Sequence, residues 1–329
     1  MNRQAARIVV HIAFAPVVLI PAFAGAQGEP YPSRPITIIV NVAPGGGSDL
    51  LARVIAPKLG AALKQPVVVE NKVGASGVIG SDFVAKAAPN GYTLLLIANS
   101  YTITPAVYKN MPFDPIDDLV AVARLANTGY SFTVNPKNVP AKDAKEFVAL
   151  AKANPGKYTS ATPGKGTAFH LAMEVMKHEL SLDLLHVPHK DLGSSLTSML
   201  NGSTDVMFAV STLVQSHART GALRVLAVTG SKRSPLLADV PTFRESGMSF
   251  MDDVDGYYGV LAPAKTPREI VTRLNREIAP TLVMTDVTQK LVASDLVASP
   301  STPEQFAMQL RSDILRWGRL VREAGITAE

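Results

Sequence analysis

Ala43-Pro44-Gly45-Gly46-Gly47-Ser48-Asp49 is the stretch on which the fold turns. Before it stands an apolar run, Ile36-Thr37-Ile38-Ile39-Val40, which reads as a buried strand. After it, Leu50, Leu51, Val54, Ile55 and Leu59 recur at helical spacing. The unit is therefore strand, glycine turn, helix N-terminus. Ser48 is expected to cap the helix, and Asp49 suits the positive end of its dipole. Three glycines permit positive φ, so several backbone N–H groups can converge on one anion. A second unit repeats this logic. Tyr158 to Ala161 reads as a strand, Thr162-Pro163-Gly164-Lys165-Gly166-Thr167 as a turn, and Thr167 to Glu179 as a helix. Two such units more than a hundred residues apart imply two lobes that hold one anionic ligand between them.

Outward from the first unit the alternation continues. Val67 to Glu70 reads as a strand, Asn71 to Gly77 as a glycine turn, Val78 to Ala88 as a helix, and Thr93 to Ile97 as a continuous apolar strand. Such runs belong to a parallel sheet covered on both faces. The polar segment Ala98 to Thr102 follows that strand's carboxyl end, where ligands of open α/β sheets bind. Tyr108 to Asp118 reads as a Pro- and Asp-rich loop, and Leu119 to Val134 as a long β-prone crossing to the second lobe. There the pattern is a helix at 141–154, the second glycine unit, strands at 183–187, 205–209 and 223–228, and helical segments at 193–200 and 211–220. Tyr257 to Leu261 returns to the first lobe. Two helices close the chain, one carrying Ile270, Leu274 and Ile278, the other Phe306, Leu310, Ile314, Trp317 and Val321. The fold class read from this alternation is α/β: two lobes, each a mostly parallel sheet flanked by helices and joined by crossing strands. The expected division is 1–26 as signal peptide, 27–124 plus 250–329 as lobe 1, and 125–249 as lobe 2.

The leader reading rests on Arg3 and Arg7, the apolar run Ile8 to Ile20, and small residues at Ala24-Gly25-Ala26 before Gln27. The run is short for a membrane span, and Pro16 and Pro21 interrupt it. Export across a membrane is therefore expected. The 329 residues contain no cysteine, which excludes a disulfide framework, thiol catalysis, thiolate metal sites and a lipidated cysteine. The net charge is +5, of which Arg3 and Arg7 supply two, leaving +3. With no Lys/Arg stripe and one Trp, a nucleic-acid footprint is absent.

Catalytic motifs fail one by one. In the first loop Leu50 stands where a dinucleotide fingerprint needs its third glycine. Gly166 separates Lys165 from Thr167, so the second loop is no P-loop, and there is no G-x-S-x-G elbow. His186 and His189 read either as a metal pair or as a strand histidine and a loop histidine; in the second reading His189 lines the cleft. His170, in the first turn after the second loop, faces the ligand or is satisfied locally. Asp205 begins a strand and lies either in the cleft or at a solvated strand end. Tyr257 and Tyr258 read as core and hinge packing. No catalytic residue, metal or cofactor is expected.

An ordered set of motifs then points to a family. It comprises Tyr-Pro-Ser-Arg-Pro (31–35), Ala-Pro-Gly-Gly-Gly-Ser-Asp (43–49), Gln-Pro-Val-Val-Val-Glu-Asn-Lys (65–72), Pro-Asn-Gly-Tyr-Thr-Leu-Leu (89–95), His-Leu-Ala (170–172), His-Val-Pro (186–188), Leu-Arg-Val-Leu-Ala-Val-Thr (223–229) and Asp-Val-Pro-Thr (239–242). The chain resembles the Bug-type substrate-binding receptors of tripartite tricarboxylate transporters. The resemblance implies a two-lobed periplasmic binding protein, type II-like, a receptor that closes on a small organic acid and delivers it to membrane subunits, usually as a monomer. It also implies that both glycine loops supply carboxylate-binding amides, with water bridging the lobes. Carried over, the ligand-binding residues are Ala43, Gly45, Gly46, Gly47, Ser48 and Asp49, with Ser100 nearby, and Thr162, Gly164, Gly166, Thr167 and His170 opposite, with Asp205 at the rim. The sequence departs from the family at Asn41-Val42, where Pro-Phe is common, and at His189-Lys190-Asp191, where Tyr-Lys-Gly is common. A side chain at Gly46 or Gly166 is expected to weaken binding and spare the fold. Two other classes stay open: an exported sensor subunit that signals to a membrane kinase, and an exported hydrolase, for which no nucleophile–base pair is found.

Overall fold

The computed structural model describes residues 31–323 and 325. The leader expected at 1–26 lies outside these residues. The chain runs β1 (Ile36–Val40), α1 (Gly47–Leu63), β2 (Val67–Asn71), α2 (Val78–Ala85), β3 (Thr93–Ala98), α3 (Ser100–Val107) and β4 (Leu119–Thr128). It continues through β5 (Tyr130–Val134), α4 (Ala144–Ala153), β6 (Thr159–Thr162), α5 (Ala168–Leu180), β7 (Leu185–Pro188), α6 (Leu192–Asn201), β8 (Val206–Val210), α7 (Ser211–Arg219) and β9 (Arg224–Val228). It ends with β10 (Gly256–Pro263), α8 (Arg268–Leu282), α9 (Thr285–Ala293), β11 (Val297–Ala298) and α10 (Pro303–Glu323).

These strands form two sheets, ordered β11-β4-β10-β3-β1-β2 and β7-β6-β8-β5-β9. In the first, β1 pairs parallel with β2 and β3, while β10 runs antiparallel to β3 and β4. In the second, β6 is parallel to β7 and β8, and β5 is antiparallel to β8 and β9. The apolar runs are covered on both faces: Leu94 and Leu96 of β3 pack with α1 and α8, and Leu95 and Ile97 pack with Phe306 of α10. In the second sheet one core gathers Phe132, Phe147, Phe208 and Phe243.

The crossing is tight. β4 stays paired with β10 to Thr128, and β5 opens the other sheet at Tyr130. Only Gly129 lies between. A Cβ there would meet the Thr229 carbonyl at 2.9 Å, so the absence of a side chain lets the chain segments pass this closely. Because β4 ends where β5 begins, the carboxyl edges of the two sheets meet at this crossing.

Three local expectations change. The segment after β3 is a helix, α3, beginning at Ser100 rather than open polar chain. Three helices, not two, close the chain, with the two-residue strand β11 between the last pair. α2 stops at Ala85. The last helix also does more than cover one lobe. Its Phe306 and Leu310 pack on the first sheet, while Trp317, Leu320 and Val321 enter the phenylalanine core of the second. Ile103 of α3 joins that core too. α10 starts on a capping box, with Thr302 accepting from the Gln305 amide and Gln305 accepting from the Thr302 amide, and Pro303 in the first turn.

Candidate functional site

The first glycine loop leaves the carboxyl end of β1. Its cap is Gly46, not Ser48; Ser48 is buried inside the first turn of α1. Gly46 has no side chain to accept a hydrogen bond, so the amides of Gly47, Ser48 and Asp49 have no intrahelical acceptor. Of the three glycines only Gly45 uses positive φ, at 86°. Gly47 is needed for space: a Cβ there would overlap the hydroxyl of Tyr258, a β10 residue whose phenol burial pushes up to about 12. Tyr258 thus touches the first loop, a role its sequence position in a plain apolar strand did not reveal.

Asp49 is the brace of this loop. Its carboxylate accepts from the Gly45 amide at 3.0 Å, from Arg53 Nε at 3.0 Å and from Asn71 Nδ2 at 3.0 Å. Arg53 beside it, helped by the Gly45 and Asn71 donors and opposed by burial, holds its pKa down to about 2. Asp49 and the Gly45 amide are therefore spent on the loop itself. Ala43, Gly45 and Gly46 are exposed.

The second loop leaves the carboxyl end of β6. Thr167 caps α5, accepting from the His170 amide at 3.4 Å and donating to the Gly164 carbonyl at 2.9 Å. Thr162 Oγ1 accepts from the Gly164 amide at 3.3 Å and lies 2.6 Å from His186 Nε2. His170 is 4 % exposed, and its Nδ1 accepts from the Gly166 amide at 3.1 Å. Its ring stacks on His186 with centroids 4.1 Å apart. His170 is thus bonded to the loop from behind. Burial, with His186, Lys177 and Lys165 alongside, lowers its pKa to about 3. The Lys165 and Thr167 amides take no protein acceptor among the described residues.

Asp205 lies elsewhere. It accepts from Thr159 N and Thr159 Oγ1, both at 2.8 Å, and from Asn138 Nδ2 at 2.8 Å. Thr159 begins β6, whereas the loop begins at its other end. Three residues of strand separate them by about 10 Å. Asp205 therefore ties the amino edge of the second sheet and is not at the cleft rim. His189 sits after β7, its amide donating to the Thr162 carbonyl at 2.8 Å, beside the second loop. Its Nε2 is buried without a partner among the described residues. Ser100 opens α3 at the carboxyl end of β3.

Between the loops, Asn99 Nδ2 donates to the Tyr130 hydroxyl at 3.0 Å, and the Tyr130 ring lies 4.9 Å from that of Phe169 in α5. A Cβ at Gly166 would approach Val107 of α3 to 2.9 Å, so the second loop also rests against the helix that follows β3. The structure brings both glycine loops, Ser100 and His189 to the joined carboxyl edges. It leaves Asp205 out and turns His170 and Asp49 into supports.

Compared with known proteins, residues 51–326 match the family model of the tripartite tricarboxylate transporter family receptor. The chain belongs to that receptor family. BugT of Bordetella pertussis is 34% identical over 329 residues, covering 99% of this chain and 98% of BugT. The solved structure of the periplasmic binding protein BugD superposes with a TM-score of 0.71 at 29% identity, covering 91% of this chain and all of that one. A protein from R. palustris solved with adipate gives 0.74 at 29% identity, covering 91% and 100%. MatC from Rhodopseudomonas palustris, with bound malate, gives 0.70 at 28%, covering 88% and 100%. The receptor has the two-lobed periplasmic-binding-protein fold of these relatives and is a binding protein, not an enzyme. Among the described residues no helix is long and apolar enough to cross a membrane.

Proposed function

We propose that this receptor captures a small organic acid in the periplasm, between lobes divided at the strand crossings, residues 31–128 with 256–325 and residues 130–255. The observation that carries the reading is the pair of glycine loops. Each follows the carboxyl end of a parallel strand, each opens a helix, and the two edges meet at Gly129. Amides of Gly47, Ser48 and Asp49 on one side, and of Lys165 and Thr167 on the other, are free to hold a carboxylate by charge-assisted bonds, each contributing about 1.5–3 kcal/mol. The helix dipoles add in the same direction. Adipate in one relative and malate in another make a dicarboxylate the first class to try. Hinge motion at Gly129 and the start of β10 closes the lobes, and the acid favours the closed state by contacting both loops at once. The closed receptor then hands the acid to membrane subunits of a tripartite transporter.

The test is a thermal-shift screen of residues 27–329 against small mono- and dicarboxylates and their uncharged amides. A ligand at about 100 times its dissociation constant adds about 2.7 kcal/mol, a rise of several degrees. Acids that shift the midpoint while amides do not support the paired-loop site. Equal shifts from both, or none across the panel with protein refolded to remove carried-over ligand, overturn it.

A further inference from the structure

Two histidine rings, His170 and His186, lie against the second glycine loop. His170 and His186 form a stacked pair, 4.1 Å between centroids and 21° between planes. Each ring ends on a different part of the same loop. His170 Nδ1 accepts the Gly166 amide at 3.1 Å. His186 Nε2 meets Thr162 Oγ1 at 2.6 Å, and that oxygen accepts the Gly164 amide at 3.3 Å. Gly164 and Gly166 both adopt positive φ, 119° and 72°, so the loop's shape depends on what restrains it rather than on its side chains. We infer that His170 and His186 are positioning residues for the ligand loop, and that the hold requires a neutral His170, so that acid loosens the loop and releases the captured anion. The consequence for capture rests on the receptor reading above; the hold on the loop does not.

The chemistry is specific. Nδ1 of His170 accepts, so its neutral form carries the proton on Nε2, which points to Glu174 at 3.6 Å. Protonation puts a second N–H at Nδ1 against the Gly166 N–H, two donors facing each other in a buried site. It also places a cation against the His186 ring. Glu174 favours a proton, but Lys177 occupies that carboxylate at 2.8 Å, and burial above all, then His186, Lys177 and Lys165, opposes protonation of His170. His186 is acted on by Glu174 in one direction and by burial, Lys177, Lys165 and His189 in the other, with a net downward shift. The strands beneath α5, β6 and β8, bring no ionisable side chain. The Ser249–Val254 turn and α10 also pack on α5, but their Asp252, Asp253, Asp313 and Arg316 do not act on His170.

The sign follows from linkage. A released loop lets the ring titrate near its ordinary value of about 6.5, whereas the held loop keeps it neutral to about 3. The held form is complete above about 6.5. Its opening constant rises about tenfold per pH unit below that for each ring whose folded value is depressed.

The experiment is an NMR titration of residues 27–329 from pH 7.5 to 2.5, following the His170 and His186 rings and the Gly164 and Gly166 amides, with adipate affinity measured alongside. The expected result is a His170 midpoint below 5, with the Gly166 amide moving in step with the ring. H170N retains an acceptor that does not titrate, so the Gly166 amide stays near its wild-type position and no longer responds to acid. H170F keeps a ring but no acceptor, and displaces that amide already at pH 7. A His170 midpoint between 6 and 7, or a Gly166 amide that ignores the ring and both substitutions, overturns the inference. Should the amides behave as expected while adipate and the other acids fail to bind, the positioning stands and the carboxylate reading falls.

Discussion

The two glycine loops look alike in sequence and are held by opposite chemistry. In the first, a carboxylate reaches back from the helix it precedes: Asp49 takes the Gly45 amide and is itself gripped by Arg53 and Asn71. In the second, neutral imidazoles and a threonine hold Gly164 and Gly166. An anion-binding loop must keep its amides aimed and uncovered, and either an acceptor charge or an acceptor lone pair can do that from behind. The two differ in what acid does to them. The carboxylate brace is stable over the whole physiological range; the imidazole brace lies within a few pH units of failing.

The largest effect that separates the loops is steric. Gly166→Val places a β-branched residue at φ 72° with its Cβ 2.9 Å from Val107, so it should cost about 2 kcal/mol or more in urea unfolding and abolish binding. Gly46→Ala stands at φ −75° with nothing nearer than 3.6 Å, and should leave stability within about 0.5 kcal/mol. The expectation that both glycines spare the fold thus fails for Gly166; equal unfolding midpoints would restore it.

Next comes Asp49→Ala, which leaves three donors without their acceptor in a residue only 4 % exposed. A loss of about 1–3 kcal/mol is expected, with weaker acid binding. Wild-type stability in that variant would show that Arg53 and Asn71 brace the loop without it.

The pH dependence sharpens the contrast. His170 is depressed in the fold, so its contribution is full above about 6.5 and drains away as pH falls toward about 3. Asp49 is also depressed, so its contribution is full above about 3.8 and is lost only as pH falls toward about 2. Melting temperature should therefore begin to fall below pH 6.5, and H170N should make that fall shallower from 6.5 down to about 3. An unchanged curve in H170N would assign that acid limb to other groups.

Smaller effects concern the caps. Thr167→Ala removes the acceptor that starts α5 and should cost about 1 kcal/mol by denaturant titration. Gly46→Ser has the opposite sign. Its extended backbone suits a serine cap, so stability should rise by a few tenths of a kcal/mol, while a hydroxyl that takes a free amide should weaken acid binding in calorimetry.

Much of the architecture could be read from one dimension. The order of strands and helices from Ile36 to Ala98, the crossing between residues 119 and 134, and the return at 257–261 all follow from apolar runs punctuated by glycine. Period and punctuation are local properties, and a sheet covered on both faces leaves an unmistakable run. Ser100–Val107 was harder, because Pro105, Ser100, Thr102 and Thr104 lower helix propensity, and tertiary burial of Tyr101, Thr102, Ile103 and Thr104 overrides it. The site was half legible. Glycine loops before helices mark themselves by composition. Whether His170 faces the ligand or the loop depends on where the His186 ring lies, sixteen residues on in another strand. Asp205 shows the same limit: at a strand start, only the register with Thr159 decides which edge of the sheet it serves.

By itself the sequence determined the alternation of elements, the two anion-competent loops and the family, because these are written in spacing and residue type. Tertiary structure alone decided that Gly46 and not Ser48 caps α1, that Tyr258 packs against Gly47, that α10 anchors in both cores, and that two imidazoles carry the second loop. Each of these depends on contacts between residues distant in the chain, whose energies are comparable to local preferences and are fixed only when the two sheets pack.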